Sequence, residues 1–121
     1  MKKRILVIDD DEGILDAFEL ILTEAGYNVK VFTKDGMQVQ QNVKSFHPDL
    51  IILDVLLSGA DGRILCKRLK MNPKTKQIPV IMISAHPSAE QTIKNCGANA
   101  FIAKPFEVDI MLNVINSFFI G

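Results

Sequence analysis

The stretch LVIDDDEG places Asp9, Asp10, Asp11 and Glu12 side by side, directly after a run of strand formers. Like charges this close repel, so the cluster costs stability unless a cation, a hydrogen-bond network or water compensates it. Three more chemistry-bearing residues stand in the same kind of place: Asp54 after the apolar run DLIIL, in which it follows Leu53, Ser84 after PVIMI, and Lys104 after AFIA. Carboxylates without histidine or thiol companions suit a hard cation, and Mg²⁺ is typically held by one or two carboxylates plus waters and phosphate oxygens. A hydroxyl and an ammonium opposite would hold the remaining oxygens of a phosphoryl group, whose transfer is catalysed largely by positioning and charge neutralisation. An aspartate can itself attack phosphorus to form an acyl phosphate, and Asp54, central to the set, is the candidate nucleophile.

These residues meet only if the elements before them end on one edge. Apolar strands alternate with helical patterns five times. Arg4 to Ile8 and Asp49 to Leu53 are nearly continuous in apolarity, as buried parallel strands are; Asn28 to Phe32 alternates and reads as an edge strand; Pro79 to Ile83 and Ala100 to Ala103 complete the set. Ile14, Phe18, Ile21, Leu22 and Ala25 recur at helical spacing before Gly26, a C-terminal stop. Val39, Val43 and Phe46 mark a second helix, and Ile64, Leu65 and Leu69 a third that Pro73 ends. Ala89 to Cys96 makes a short fourth, and Val108, Met111, Leu112, Ile115 and Phe119 a fifth. Such alternation predicts a flavodoxin-like, doubly wound α/β fold: a five-stranded parallel sheet in the order 2-1-3-4-5 with five helices. Ligands of open α/β sheets bind at the carboxyl ends of the strands where the order reverses, here between strands one and three, so Asp9, Asp10, Asp54, Ser84 and Lys104 converge there.

Composition narrows the function. A chain of 121 residues fits one domain, 1–121, without staples. Its 14 basic and 14 acidic residues cancel, which makes nucleic acid an unexpected direct partner. Cys66 and Cys96 fall in separate helices without a CxxC pair, so packed thiols in a reducing cytoplasm are expected. No charged-then-apolar leader opens the chain, and no apolar run approaches the roughly 20 residues a membrane span needs.

Four segments in order, LVIDDDEG, LIILDVLLSGADG, VIMISA and FIAKPF, resemble the motifs of response-regulator receiver domains of two-component signalling, over essentially the whole chain. The resemblance implies phosphorylation of Asp54 by a histidine kinase or phosphotransfer protein. It implies Mg²⁺ at Asp9 and Asp10 with Asp54, the backbone carbonyl of Leu56 completing the protein ligands. Ser84 and Phe101 match the family's switch pair, Lys104 its phosphoryl-contacting lysine, and the Lys104–Pro105 bond one that is often cis there. Leu56 and His86 match positions that tune water access; an apolar Leu56 implies slow self-hydrolysis. The chain departs from the pattern at Ser58, where many members carry proline, followed by Gly59, which implies a looser loop, and in a shortened segment between Ser84 and Lys104.

Plainer roles stand beside these. Asp11 and Glu12 are expected to cap the first helix, and Asp61 the third, none of them as ligands. Ser84 could serve only as a turn or capping serine, Lys104 as a surface lysine, and His47 beside Pro48 as a solvent-facing turn residue. Ile110, Val114 and Phe118 form a second apolar stripe on the fifth helix, either covered by its neighbour or part of a dimer or output face made with the fourth helix and fifth strand. The alternatives to a phosphorylation switch are a phosphorylation-independent binding module and an Mg²⁺-dependent phosphotransferase acting on a small molecule. No output region follows the fifth helix within this chain, as a stand-alone regulator or a fragment would both have it.

Overall fold

The structure is a computed structural model that describes residues 2–33, 36–57, 60–86 and 89–120, with backbone alone for residues 36–38, 40, 92 and 94. Ser58 and Gly59 lie outside the described residues, as does the expectation of a looser loop there. Strand β1 (Arg4–Ile8) leads to helix α1 (Glu12–Glu24), β2 (Asn28–Phe32), α2 (Gly36–Phe46) and β3 (Leu50–Asp54). Two short strands, β4 (Leu56–Leu57) and β5 (Ala60–Asp61), precede α3 (Gly62–Met71) and β6 (Val80–Ser84). One α-helical turn, α4 (Ala89–Thr92), runs into a 3-10 segment (Ile93–Cys96), then β7 (Ala100–Ala103) and α5 (Val108–Ser117). The main sheet has the order β2-β1-β3-β6-β7 with every pairing parallel, which is the expected doubly wound order once the small β4–β5 pair is set aside. That antiparallel pair was not legible in the sequence.

Alternation along the central strands divides the core in two. Ile5, Val7, Leu50, Ile52, Ile81 and Ile83 face a cluster closed by Leu15, Phe18 and Leu22 of α1 and Met111 and Ile115 of α5. Leu6, Ile8, Ile51, Leu53, Val80 and Met82 face the other, closed by Val39 and Val43 of α2 and Leu65, Cys66 and Leu69 of α3. All five residues of β3 and of β6 are buried, whereas β2 is only partly so, as an edge strand should be. Each fully buried leucine, isoleucine or phenylalanine contributes roughly 1.5–3 kcal/mol, so the strands that carry the site are the most heavily stabilised of the sheet.

Local chemistry sets the helix ends. Asp11 caps α1, its side chain accepting from the N–H groups of Gly13 and Ile14, and Glu12 lies in the first turn. Gly26 takes φ +97° just beyond α1, a conformation that costs a side-chain-bearing residue. Asp61 caps α3 through the N–H of Arg63. His47 is an exposed residue after α2 with φ 54°. Strands β3 and β6 each run one residue later than the sequence suggests, so Asp54 and Ser84 are the last paired residues rather than the first unpaired ones; Pro79, without an N–H, still accepts from Ile51 through its carbonyl.

Several expected core positions are corrected. Ile64 is 53% exposed, because α3 turns Leu65, Cys66 and Leu69 inward instead. Ala25 is the exposed C-cap of α1, and Val108, in the first turn of α5, is exposed as well. Val114 and Phe118 do not face away from the sheet: both are half-buried against the α1-side cluster, beside Leu112 and Phe119. They flank Met111 and Ile115 at helical spacing, so the core stripe of α5 is wide, and of the second stripe only Ile110, at 55%, is largely exposed.

Candidate functional site

Parallel pairing brings the strand ends to one edge, and backbone hydrogen bonds carry the order past them. The N–H of Asp9 donates to Phe32 O at 3.1 Å, that of Val55 to Ile83 O at 2.9 Å, and that of Lys104 to Ser84 O at 2.9 Å. Asp9 follows β1, Asp54 and Ser84 end β3 and β6, and Lys104 follows β7. Among the described residues, Asp9, Asp54 and Ser84 are the polar side chains that are buried.

The Lys104 ammonium joins two of these strands electrically. It stands 2.7 Å from Asp9 Oδ2 and 3.3 Å from Asp54 Oδ2. Asp9 Oδ1 accepts from the N–H of Asp11 at 2.9 Å, and Asp54 Oδ1 from that of Leu56 at 3.3 Å. Asp9 Oδ2 is fully buried and accepts no well-directed hydrogen bond, so its approach to Lys104 is an ion-pair contact. Two carboxylates thus share one ammonium. Burial pushes the Asp54 carboxyl up to about 6, the Asp9 charge adds to this, and Lys104 with the Leu56 N–H only partly offsets it. Burial works against the Lys104 ammonium, but the Asp9 and Asp54 carboxylates outweigh it and raise its pKa.

The remaining expected residues are less gathered. Asp10 is half-buried next to Asp9, and among the described residues no three carboxylate, imidazole or thiol side chains are grouped as a metal cluster. The donors that do meet, Asp9 and Asp54, are hard oxygens, and a buried carboxylate oxygen without a directed hydrogen bond fits a cation that needs only one or two protein carboxylates. Ser84 Oγ accepts from the N–H of His86 at 3.0 Å, and the His86 side chain is exposed. Phe101 is half-buried against the α3-side cluster, opposite Met82 across the strand pair. Leu56 is 61% exposed. The Lys104–Pro105 peptide is cis, as the resemblance implied.

Outside this edge, Cys66 and Cys96 are buried free thiols, Cys66 Sγ donating to Cys96 O at 3.5 Å. Burial first, then Cys96, pushes the Cys66 thiol up to about 12, the state of a packed rather than a reactive thiol. No described helix is long and apolar enough to cross a membrane. Two features of the site escaped the sequence. One is the double ion pair of Lys104, because residue type alone does not tell which acid a lysine reaches. The other is the start of α3: the Gly62 N–H donates to Val55 O at 2.7 Å, immediately behind Asp54, and only the DG pair hinted at a close approach.

Comparison with known proteins places the chain itself. The family model described as "Response regulator receiver domain" matches residues 5–116. The chain is 40% identical over 111 residues to the DNA-binding dual master transcriptional regulator RpaA of a Synechocystis strain, covering 90% of the chain and 46% of that protein. It is 29% identical over 120 residues to the polar-differentiation response regulator DivK of Brucella ovis, covering 98% and 97%. The crystal structure of chemotaxis protein CheY4 of Vibrio cholerae superposes with a TM-score of 0.88 at 26% identity, covering 98% of this chain and 99% of that one. The chain therefore spans less than half the length of RpaA but nearly all of DivK.

Proposed function

This chain belongs to the response-regulator receiver domain family of two-component signalling, and we propose that in it Asp54 accepts the phosphoryl group. Receiver domains are signalling modules, and the reading is of a phosphorylation switch fed by a sensor histidine kinase or histidine phosphotransfer protein in the cytoplasm. The observation that carries it is the Lys104 bridge: one ammonium at the carboxyl edge of the sheet lies within reach of Asp9 Oδ2 and Asp54 Oδ2. A phosphoryl oxygen on Asp54 would take the place of a carboxylate oxygen at that ammonium.

Mg²⁺ would be held by Asp9, Asp10, Asp54 and the Leu56 carbonyl, and when bound it neutralises oxygen charge on the incoming group. The chain's own residues do the rest. Asp54, ionised above pH 6, offers the oxygen that attacks phosphorus as the bond to the donor histidine nitrogen breaks and the imidazole leaves with its electron pair; Lys104 holds a phosphoryl oxygen, and the buried Ser84 hydroxyl donates to another. Ser84 and Phe101 form the switch pair, through which occupancy changes the face built from α4, β7 and α5. Phosphoryl loss is slow hydrolysis tuned by Leu56 and His86.

The test is intact mass after incubation with a small phosphodonor and Mg²⁺, beside metal-free and Asp54→Asn samples. One added phosphoryl group absent from both controls supports the reading. No addition to a folded wild type overturns it and favours a phosphorylation-independent binding module; turnover of free phosphoesters would favour a phosphotransferase instead.

A further inference from the structure

Helix α3 starts on top of the peptide that carries Asp54. Gly62, its first residue, is buried, and a Cβ at this position would lie 2.0 Å from the Asp54 carbonyl oxygen, 3.0 Å from the Asp54 carbonyl carbon and 3.1 Å from Val55 Cα. A carbon–oxygen contact is ordinarily about 3.3–3.6 Å, so the overlap exceeds an ångström. All three atoms are backbone, and no rotamer change relieves it. Gly13, the other glycine beside the acidic cluster, differs: its Cβ would meet only the Asp11 carboxylate oxygen, at 3.2 Å, the end of a movable side chain.

The start of α3 is itself held from both sides. Its N-cap, Asp61, accepts from the Arg63 N–H at 2.9 Å and from the Arg63 guanidinium at 3.0 and 2.8 Å, and it pairs across β4–β5 with Leu56. The Gly62 N–H closes the ring on Val55 O. Asp61 and Gly62 therefore return to Leu56 and Val55, and the missing side chain at Gly62 is what allows so close an approach.

Resting on the function proposed above, we propose that Gly62 is a positioning residue: by seating α3 directly on the Asp54–Val55 peptide, it fixes the Asp54 carboxylate and the Leu56 carbonyl relative to Asp9 and Lys104. Gly62 touches neither metal nor phosphoryl group. It acts through the backbone that carries both donors, where a displacement of about an ångström can cost on the order of 100-fold in rate.

The experiment compares wild type, Gly62→Ala and Gly13→Ala under conditions where urea titration shows all three folded. Phosphorylation by a small phosphodonor is followed by intact mass, and Mg²⁺ affinity by amide chemical shifts. The expected result is a rate in Gly62→Ala lower by on the order of 100-fold and a raised Kd for Mg²⁺, with Gly13→Ala within about twofold of wild type. Equal rates and Kd in folded Gly62→Ala overturn the inference, since a merely structural glycine would change stability alone. Should Gly62→Ala not fold, hydrogen exchange of the wild-type Gly62 amide decides: slowing of about tenfold on saturation with Mg²⁺ supports coupling of this contact to the site, and no change overturns it. A wild type that takes no phosphoryl group on Asp54 overturns the functional reading instead, so the two failures are distinguishable.

Discussion

Burial of the Asp54 carboxyl, with the Asp9 charge close by, is only partly offset by the Lys104 ammonium and the Leu56 N–H. The Asp54 pKa of about 6 in the fold lies above the ordinary 3.8, so ionisation opposes folding. The stabilisation from the protonated carboxyl is complete below about pH 4 and is lost as pH rises through 6. Asp54→Asn should therefore stabilise the protein at pH 7.5 by about 1–3 kcal/mol while abolishing phosphoryl acceptance, and its urea midpoint should change less than that of wild type between pH 4 and 7. Lys104→Ala removes the cation that Asp9 and Asp54 share and should cost roughly 3–5 kcal/mol at pH 7.5, read by the same titration; a loss below about 1 kcal/mol would mean that solvent already screens the pair. The identities of Asp9, Asp54, Ser84 and Lys104 were legible because each follows a strand-forming run. Their contacts were not, since the reach of a lysine depends on backbone spacing that no local pattern records.

Elements were readable wherever one residue decides a boundary. Asp11 takes the capping position of α1 rather than a ligand's place, as its bonds to Gly13 and Ile14 show. Asp11→Ala should accordingly cost about 1 kcal/mol of stability and leave the affinity for Mg²⁺ unchanged, which urea titration and a metal titration check together. Helix faces were read less well. In α3 the periodicity admitted Ile64 as readily as Cys66, and what selects the latter is the 3-10 segment packed against it, a tertiary fact. The same packing encloses both thiols. Alkylation of Cys66 by iodoacetamide at pH 8 should therefore be slower than in the urea-unfolded chain by at least about 100-fold, following local opening rather than thiol ionisation.

At the scale of the whole molecule, a sheet covered on both faces decides what α5 can still offer. A second apolar stripe suggested another surface to bury, but Val114 and Phe118 already pack beside Phe119 over the α1-side core. Tyr27 reinforces that end, its ring 5.6 Å from Phe119 and its hydroxyl bonded to Asn116, so the carboxyl end of α5 is tied to the α1–β2 turn. Along α5 itself, the large apolar side chains still exposed are Val108 and Ile110, toward its amino end. Charge placed at the two positions separates the roles. Val114→Glu should destabilise the monomer by about 1–3 kcal/mol, because a carboxylate would replace a packed methyl pair. Ile110→Glu should change stability by less than about 0.5 kcal/mol, and if the α4–β7–α5 face is the output surface it should abolish any phosphorylation-dependent self-association seen by sedimentation. The reverse outcome, a neutral Val114→Glu and a destabilising Ile110→Glu, would require α5 to be rotated about its axis and would reassign the face that the switch presents.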